Sequence, residues 1–141
     1  MSPDILDVYS APLAGHTLIE ASAGTGKTWT LSGLYARLLL DAELNLQVGE
    51  ILVVTFTTAA TGELRDRIRK RLADVLESFR TGVGSDEFCE RLLAGFSGER
   101  EWAVRKLTRA VAGFDDASVF TIHGFCQRVL ADAAFESGAD F

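Results

Sequence analysis

The chain has 141 residues, of which 48% are hydrophobic and 24% charged, and its formal net charge at pH 7 is −6. This length allows one globular domain with a single core, and this composition excludes an intrinsically disordered chain. The acidic balance argues against coating of nucleic acid by bulk charge, but it permits binding through a few placed contacts.

The apolar periodicity predicts alternating strands and helices. In chain order these are a strand over 16–21, a helix over 27–40, a strand over 50–56, a helix over 59–79, a break at 81–85, helices over 86–95 and 99–112, a strand over 117–122 and a helix over 123–135. The run 50–56 is continuous and rich in β-branched residues, as expected for a strand buried on both faces. This alternation indicates an α/β domain with a parallel sheet and right-handed crossovers.

A glycine-rich stretch, ASAGTGKT at 21–28, lies between the first predicted strand and the first helix. It matches the phosphate-loop pattern G-x-x-x-x-G-K-[ST] except that alanine replaces the first glycine. Gly24 and Gly26 permit a tight turn whose amide groups point at an anion. Lys27 then reaches the β- and γ-phosphates, and Thr28 supplies a hydroxyl ligand for Mg²⁺. The alternative is a turn that binds nothing, but the flanking strand and helix favour a nucleoside triphosphate site.

Hydroxyl and aromatic side chains lie at the carboxyl ends of the second and third predicted strands. These residues are Thr55, Phe56 and Thr57 at the end of the second strand, and Thr121, His123 and Phe125 at the end of the third. Ligands of open α/β sheets bind at the carboxyl ends of strands. Hydroxyls suit the backbone of a nucleic-acid strand, and rings suit base stacking at ~1–3 kcal/mol each, so this pattern favours a single nucleic-acid strand.

The amino terminus and the cysteines indicate the cellular compartment. Acidic residues stand where a signal peptide carries positive charge, and no apolar run approaches the ~20 residues of a membrane span. Cys89 and Cys126 lie far apart without metal-ligand spacing, which is typical of a reducing compartment. We therefore expect a cytoplasmic protein with no membrane partner.

Three segments of the chain resemble a known family. In order they are EASAGTGKT, VVTFTTAATGELRDRI and FTIHGFCQRVL, and they resemble the first motifs of superfamily 1 helicases of the UvrD/Rep type. The resemblance extends from about Leu13 to Phe141. Within that family, the glutamate before the loop, the spelling TIHGFCQR and the tail AFESG are similar to RecB-type beta subunits of exodeoxyribonuclease V. The resemblance implies a partial P-loop NTPase (RecA-like) domain, a parallel sheet flanked by helices.

The resemblance also implies which residues bind ligands. ATP and Mg²⁺ would bind at the nucleotide loop, with Thr28 on the metal, through Ala23, Gly24, Thr25, Gly26, Lys27 and Thr28. Single-stranded DNA would contact two further motifs, Thr55, Phe56, Thr57 and Ala60 in the first and Thr121, His123 and Gly124 in the second. We interpret Phe56 as the base-stacking residue. The implied partners are single-stranded DNA and the other subunits of an exodeoxyribonuclease V-type complex, which acts in recombinational repair of double-strand breaks.

The chain departs from the family's pattern in two respects. Members often have a glutamine upstream of the loop that recognises adenine, whereas the matching stretch here has Ala14, so adenine selectivity is not implied. The family also needs an Asp-Glu pair after a further strand, to hold Mg²⁺, and arginines from a second motor domain. Asp86-Glu87 precedes a helical pattern and Asp115-Asp116 precedes its strand, so neither pair fits that role.

We therefore interpret 1–141 as the N-terminal portion of a first helicase motor domain, with a helical insertion at 81–113. Translocation, unwinding and cleavage are expected to be absent from this chain alone. Two alternatives stay open: a stand-alone nucleotide-binding regulatory module without DNA activity, and a small P-loop kinase, for which no basic lid segment is found. A partial sheet with open edges and uncovered apolar faces predicts self-association.

Several other residues have structural alternatives to a functional role. The basic segment 63–71 is either a face that follows phosphates or, as we favour, the solvent side of an amphipathic helix. His123 is either a DNA contact or a packing residue at a strand end. We expect Trp29 and Trp102 to be core or interface aromatics, and Cys126 to pack as a small apolar group.

Overall fold

The computed structural model describes residues 6–20 and 26–137, which form five α-helices, two strands and two single-turn 3-10 helices, Val48–Glu50 and Phe114–Asp116. The helices are α1 (Lys27–Leu39), α2 (Thr58–Thr81), α3 (Glu87–Gly95), α4 (Arg100–Ala112) and α5 (Ile122–Ser137), and the strands are β1 (Val53–Thr55) and β2 (Val119–Thr121). All five predicted helices are confirmed, and the strands predicted at 50–56 and 117–122 are confirmed over three residues each. None of the described helices has the length and apolar character needed to cross a membrane.

The two strands pair in parallel, with Val53 opposite Val119 and Thr55 opposite Thr121. The connection between them contains α2, α3 and α4, as the crossover of a parallel pair requires. The Arg65 guanidinium on α2 donates to the Val119 carbonyl oxygen at 2.9 Å, which ties α2 to β2. This pairing confirms the predicted α/β class with a parallel sheet flanked by helices.

The prediction of a strand over 16–21 is wrong for the described residues, because residues 16–20 form no regular secondary structure. Residue 21 lies outside the described part of the chain. A stable strand needs hydrogen-bonded neighbours, and 16–20 pair with neither β1 nor β2. Leu18 is 83% exposed, so burial of its side chain does not offset the conformational entropy that ordering a strand would cost.

The core lies around α2, the longest described helix, which packs against both α1 and α4. Its apolar stripe is buried, as the three-and-four spacing predicts, and comprises Leu64, Ile68, Leu72, Val75, Leu76 and Phe79. Tyr35 and Leu39 of α1 join this stripe, as does Leu107 of α4. The helices therefore supply most of the core, and the strands lie beside it.

Helix α3 begins at Asp86-Glu87, as predicted. The Asp86 carboxylate accepts hydrogen bonds from the Cys89 N–H and from Arg71, each at 2.8 Å, and thereby caps α3. Burial raises the pKa of Asp86, but the hydrogen bonds from Cys89 and Arg71 outweigh this effect and hold that pKa below its ordinary value of 3.8. The carboxylate is therefore engaged by the fold itself.

One packing prediction is wrong, because Cys126 is exposed. Successive residues on a helix point about 100° apart, so Cys126 faces solvent while its neighbour Phe125 is half-buried. The core position expected of the tryptophans is confirmed for Trp102 only, because Trp29 is 44% exposed. Trp102 is half-buried against the core, and Trp29 meets the Phe88 ring edge-on at 5.8 Å between centroids.

Candidate nucleotide and nucleic-acid site

The carboxyl ends of β1 and β2 form one edge of the sheet, where both strands lead directly into helices. Thr55 and Thr121 are the last residues of the two strands and lie opposite each other. Helix α2 begins at Thr58 and α5 begins at Ile122. Each helix has unpaired amide groups and a positive dipole end at its amino terminus, so this edge attracts anions. We call residues 55–57 and 121–124 the strand-exit edge.

The threonine hydroxyls of the strand-exit edge first serve the fold. Thr57 Oγ1 accepts from the Ala60 N–H at 3.0 Å and caps α2, and Thr121 Oγ1 accepts from the Gly124 N–H at 3.0 Å. Thr55 instead donates to the Thr57 carbonyl oxygen at 3.1 Å. A hydroxyl that accepts one bond retains its own hydrogen, so Thr57 and Thr121 can still donate to a ligand. The Thr55 hydroxyl is committed within the chain.

Phe56 presents its ring to solvent at the strand-exit edge. Its side chain is 89% exposed, although a phenyl ring in water has an unfavourable hydration free energy. Stacking against a base would remove much of that surface from water. His123 is also exposed, which argues against a packing role at the strand end, whereas Phe125 is half-buried.

Gly124 allows the close turn from β2 into α5. A Cβ at this position would lie 3.1 Å from Thr121 Oγ1, so a side chain would press on the hydroxyl that caps the turn. Ala60 is exposed and contributes its N–H to the corresponding cap on α2. The absence of a side chain at Gly124 therefore leaves the Thr121 hydroxyl in place.

The described part of the predicted nucleotide loop is its carboxyl-terminal end. Ala23, Gly24 and Thr25 lie outside the described residues. Gly26 has φ +84°, a left-handed conformation that favours glycine, and α1 starts at the next residue. Among the described residues, no side chain caps this helix. Lys27 is exposed and Thr28 is half-buried, an arrangement that suits a phosphate and its metal ion.

The basic residues of 63–71 are all engaged within the chain. Arg65 binds the Val119 carbonyl oxygen, and the other pairs are Arg67 with Glu63, Arg69 with Asp115, Lys70 with Asp74 and Arg71 with Asp86. The Arg71 side chain is only 11% exposed, and its guanidinium also lies 4.6 Å from the centre of the Phe88 ring. These contacts support the structural interpretation of the segment over a phosphate-following face.

The fold and the site define the class of protein. A parallel pair of strands flanked by helices is consistent with a P-loop NTPase fold, and the family model of the UvrD/REP helicase N-terminal domain matches residues 2–140. The chain belongs to that family, which confirms the resemblance. A helicase family implies the use of a nucleotide and a metal ion in general terms.

Individual relatives narrow the assignment. The chain is 46% identical to the RecBCD enzyme subunit RecB of Escherichia coli (strain K12), over 98% of this chain and 12% of that protein. It is 42% identical to RecB of Haemophilus influenzae, over 96% of this chain and 12% of the relative. RecB of Mycobacterium tuberculosis (strain ATCC 25618 / H37Rv) is 42% identical over 81% of this chain and 10% of its own length. The chain thus spans 10–12% of the length of these relatives.

Proposed function

We propose that the chain is the N-terminal portion of the first motor domain of a RecB-like DNA helicase and exonuclease subunit that acts in recombinational repair of double-strand breaks. In this proposal residues 81–113, which include α3 and α4, are a helical insertion. The other subunits of an exodeoxyribonuclease V-type complex are its protein partners. The observation that carries the proposal is the register of the sheet, since Thr55 lies opposite Thr121 and the two motif segments share one edge.

In the DNA-bound state, a single strand runs along the strand-exit edge. The first-turn amide groups of α2 and α5 and the hydroxyls of Thr57 and Thr121 donate to phosphates. Phe56 stacks on a base, and His123 contacts the strand from the start of α5. Ala60 and Gly124 are small, which lets the DNA backbone approach the helix ends.

Nucleotide binding in this proposal uses the loop before α1. Ala23, Gly24, Thr25 and Gly26 surround the phosphates, and Lys27 pairs with them. Mg²⁺ bound with ATP neutralises phosphate charge, and the Thr28 hydroxyl is its protein ligand. Neither β1 nor β2, in the described part of the chain, is followed by an Asp-Glu pair, so we assign ATP binding, and not hydrolysis, to these residues.

A DNA titration tests the first half of the proposal. We expect a fluorescein-labelled oligothymidylate of about 15 nucleotides to bind the chain, and Phe56→Ala to weaken binding by about 1–3 kcal/mol, the stacking contribution of one base. The matched control is Phe135→Ala, because Phe135 is also exposed, at 91%, but lies near the far end of α5. Equal affinities of the two variants in fluorescence anisotropy would refute the role of Phe56.

A calorimetric titration with Mg-ATP tests the second half. We expect saturable binding that Lys27→Ala abolishes, because removing the ammonium group leaves the phosphates without their main charged partner. Lys70→Ala is the matched control, since Lys70 is an exposed lysine paired with Asp74 on α2. Loss of binding in both variants would show a general charge effect and would contradict a specific loop.

Self-association is the third component of the proposal. Exposed apolar side chains on β1 and α5 include Val54, Val129 and Leu130, at 38%, 46% and 67% exposure. Such neighbouring apolar surface promotes contact between copies. We expect light scattering at micromolar concentration to detect dimers or larger species, and Leu130→Lys to reduce them. A monomer at that concentration would contradict this component.

A further inference from the structure

A pocket of about 380 Å³ lies between the end of α2 and the first turns of α4. We call it the arginine pocket, and its lining residues are Phe79, Arg80, Arg100, Glu101, Val104 and Arg105. It therefore has three guanidinium groups against one carboxylate, in a chain whose net charge is −6. Such a local excess of positive charge favours an anionic ligand.

The three arginines differ in what they already bind. Arg100 donates to the Arg80 carbonyl oxygen at 3.2 Å and so satisfies the carboxyl-terminal end of α2. Within the part of the chain that the structure describes, the side chains of Arg80 and Arg105 form neither a hydrogen bond nor an ion pair. The basic residues of 63–71, by contrast, are all engaged. Arg80 and Arg105 therefore retain their capacity to bind an anion.

The arginine pocket is separate from the strand-exit edge. Phe79 lies 21 residues beyond Thr58 on α2, which corresponds to about 32 Å at the rise of an α-helix. The residues that line the arginine pocket are therefore different from those of the strand-exit edge and lie at the opposite end of α2. Competition with an oligothymidylate tests whether the two places bind independently.

The size and the lining residues of the arginine pocket indicate which kind of anion it can bind. Phe79 lies beneath the pocket, buried in the core with its ring edge-on to Phe96, so Val104, which is half-buried, supplies the apolar surface that a ligand can contact. A volume of about 380 Å³ is at the small end for ligand pockets, which fits one or two side chains better than a nucleic-acid strand. Glu101 and the acidic net charge also oppose a polyanion more strongly than a single carboxylate. We propose that the arginine pocket binds an acidic side chain of a protein partner, with an adjacent apolar side chain against Val104.

The test uses a labelled synthetic peptide in which aspartate alternates with leucine, and a matched peptide with asparagine in place of aspartate. We expect saturable binding of the aspartate peptide to the complete chain by fluorescence anisotropy. Arg105→Glu should weaken it about fivefold or more, because it removes one ion pair and adds a repulsion. Arg80→Gln should weaken it less, since it only removes a charge. Arg67→Glu is the control, with the same change in net charge on an exposed part of α2.

Three results would overturn the proposal. Equal binding of the asparagine peptide, or no binding of either peptide, would show that the pocket does not recognise a carboxylate. Equal weakening by Arg67→Glu would show that only bulk charge matters. Displacement of the peptide by an oligothymidylate, with the same dependence on Arg105, would assign the pocket to nucleic acid. Circular dichroism of each variant identifies unfolding, and Arg80→Gln still tests the pocket if Arg105→Glu does not fold.

Discussion

The helical part of the molecule and the strand-exit edge use the same residue types in opposite ways. In the helical part, Phe114 is fully buried beside Tyr35, and the basic residues of 63–71 on α2 have partners within the chain. At the strand-exit edge, Phe56 is 89% exposed. Two helices begin there, and the amide groups of a helix's first turn have no hydrogen-bond acceptor within the helix. The difference indicates that the helices provide stability, whereas the edge retains its capacity to bind.

The largest expected effect separates these two regions directly. Phe114→Ala should lower the free energy of unfolding by about 3–5 kcal/mol, because it opens a cavity in a core that cannot fully collapse. Phe56→Ala should change that free energy by no more than about 0.5 kcal/mol, because the ring is already in water. Urea denaturation of both variants measures this contrast. A similar loss in both would show that Phe56 is part of the core.

The next largest effect concerns the cap of α3. Asp86→Ala should lower the free energy of unfolding by about 1–2 kcal/mol at pH 7, because it removes both the cap of α3 and the partner of Arg71. The pKa of Asp86 is lowered in the fold, so its stabilisation is complete above 3.8 and is lost as the pH falls through the lowered folded pKa. Asp86→Asn retains a cap without the charge and serves as the control. Denaturation curves over pH 2–7 should therefore converge for the wild type and Asp86→Asn at the acid end, and parallel curves would contradict this account.

A smaller effect at neutral pH concerns Tyr35 in the helical core. Burial raises the pKa of Tyr35 to about 12, and its hydroxyl donates to the Val48 carbonyl oxygen over a long 3.4 Å. Tyr35→Phe should cost less than about 1 kcal/mol at pH 7, because it removes only this weak bond. Between the ordinary value of 10.0 and about 12, the unfolded state loses the phenolic proton first, so wild-type stability falls as the pH rises. Thermal unfolding at increasing alkaline pH should show this fall in the wild type but a smaller one in Tyr35→Phe.

The smallest effect on stability is expected at Gly124. Alanine has a helix propensity that is better by about 1 kcal/mol, which offsets the close approach of its Cβ to Thr121 Oγ1. Unfolding should therefore change little in Gly124→Ala, while the displaced Thr121 hydroxyl weakens oligothymidylate binding. Gly62→Ala is the control, because a Cβ at Gly62 meets no atom within 4 Å. Unchanged DNA affinity in Gly124→Ala would show that the residues at the end of β2 do not bind DNA.

Local patterns predicted the helices and the class of fold, because apolar spacing and cap residues act over a few positions. The stripe of α2 and the start of α3 at Asp86-Glu87 are examples, and both are confirmed. Long-range pairing is where sequence alone was insufficient. Residues 16–20 have strand-like composition without a hydrogen-bonded neighbour, and the exposure of Cys126 depends on which side of α5 covers the sheet.

In the candidate site too, local features could be predicted from the sequence, whereas contacts between distant residues could not. The sequence predicted hydroxyls and an aromatic ring at the ends of two strands. Only the register of the parallel sheet shows that Thr55 and Thr121 lie opposite each other at one edge. Capping by Thr57 had a signal in the sequence, since threonine at a strand-to-helix turn commonly accepts from the helix start. The contact of Arg65 with the Val119 carbonyl oxygen had none, because it joins residues 54 positions apart. The paired state of 63–71 likewise required the three-dimensional arrangement of Asp86 and Asp115.

Hydrogen–deuterium exchange with and without oligothymidylate is the most direct test of the central proposal that the two motif segments form one DNA site. We expect slower exchange at 55–61 and at 121–125 together, because one strand covers the starts of both α2 and α5. We expect no slowing around Arg100 and Arg105, because the arginine pocket lies about 32 Å along α2 from the strand-exit edge. Protection of only one motif segment, or protection centred on the arginine pocket, would contradict it.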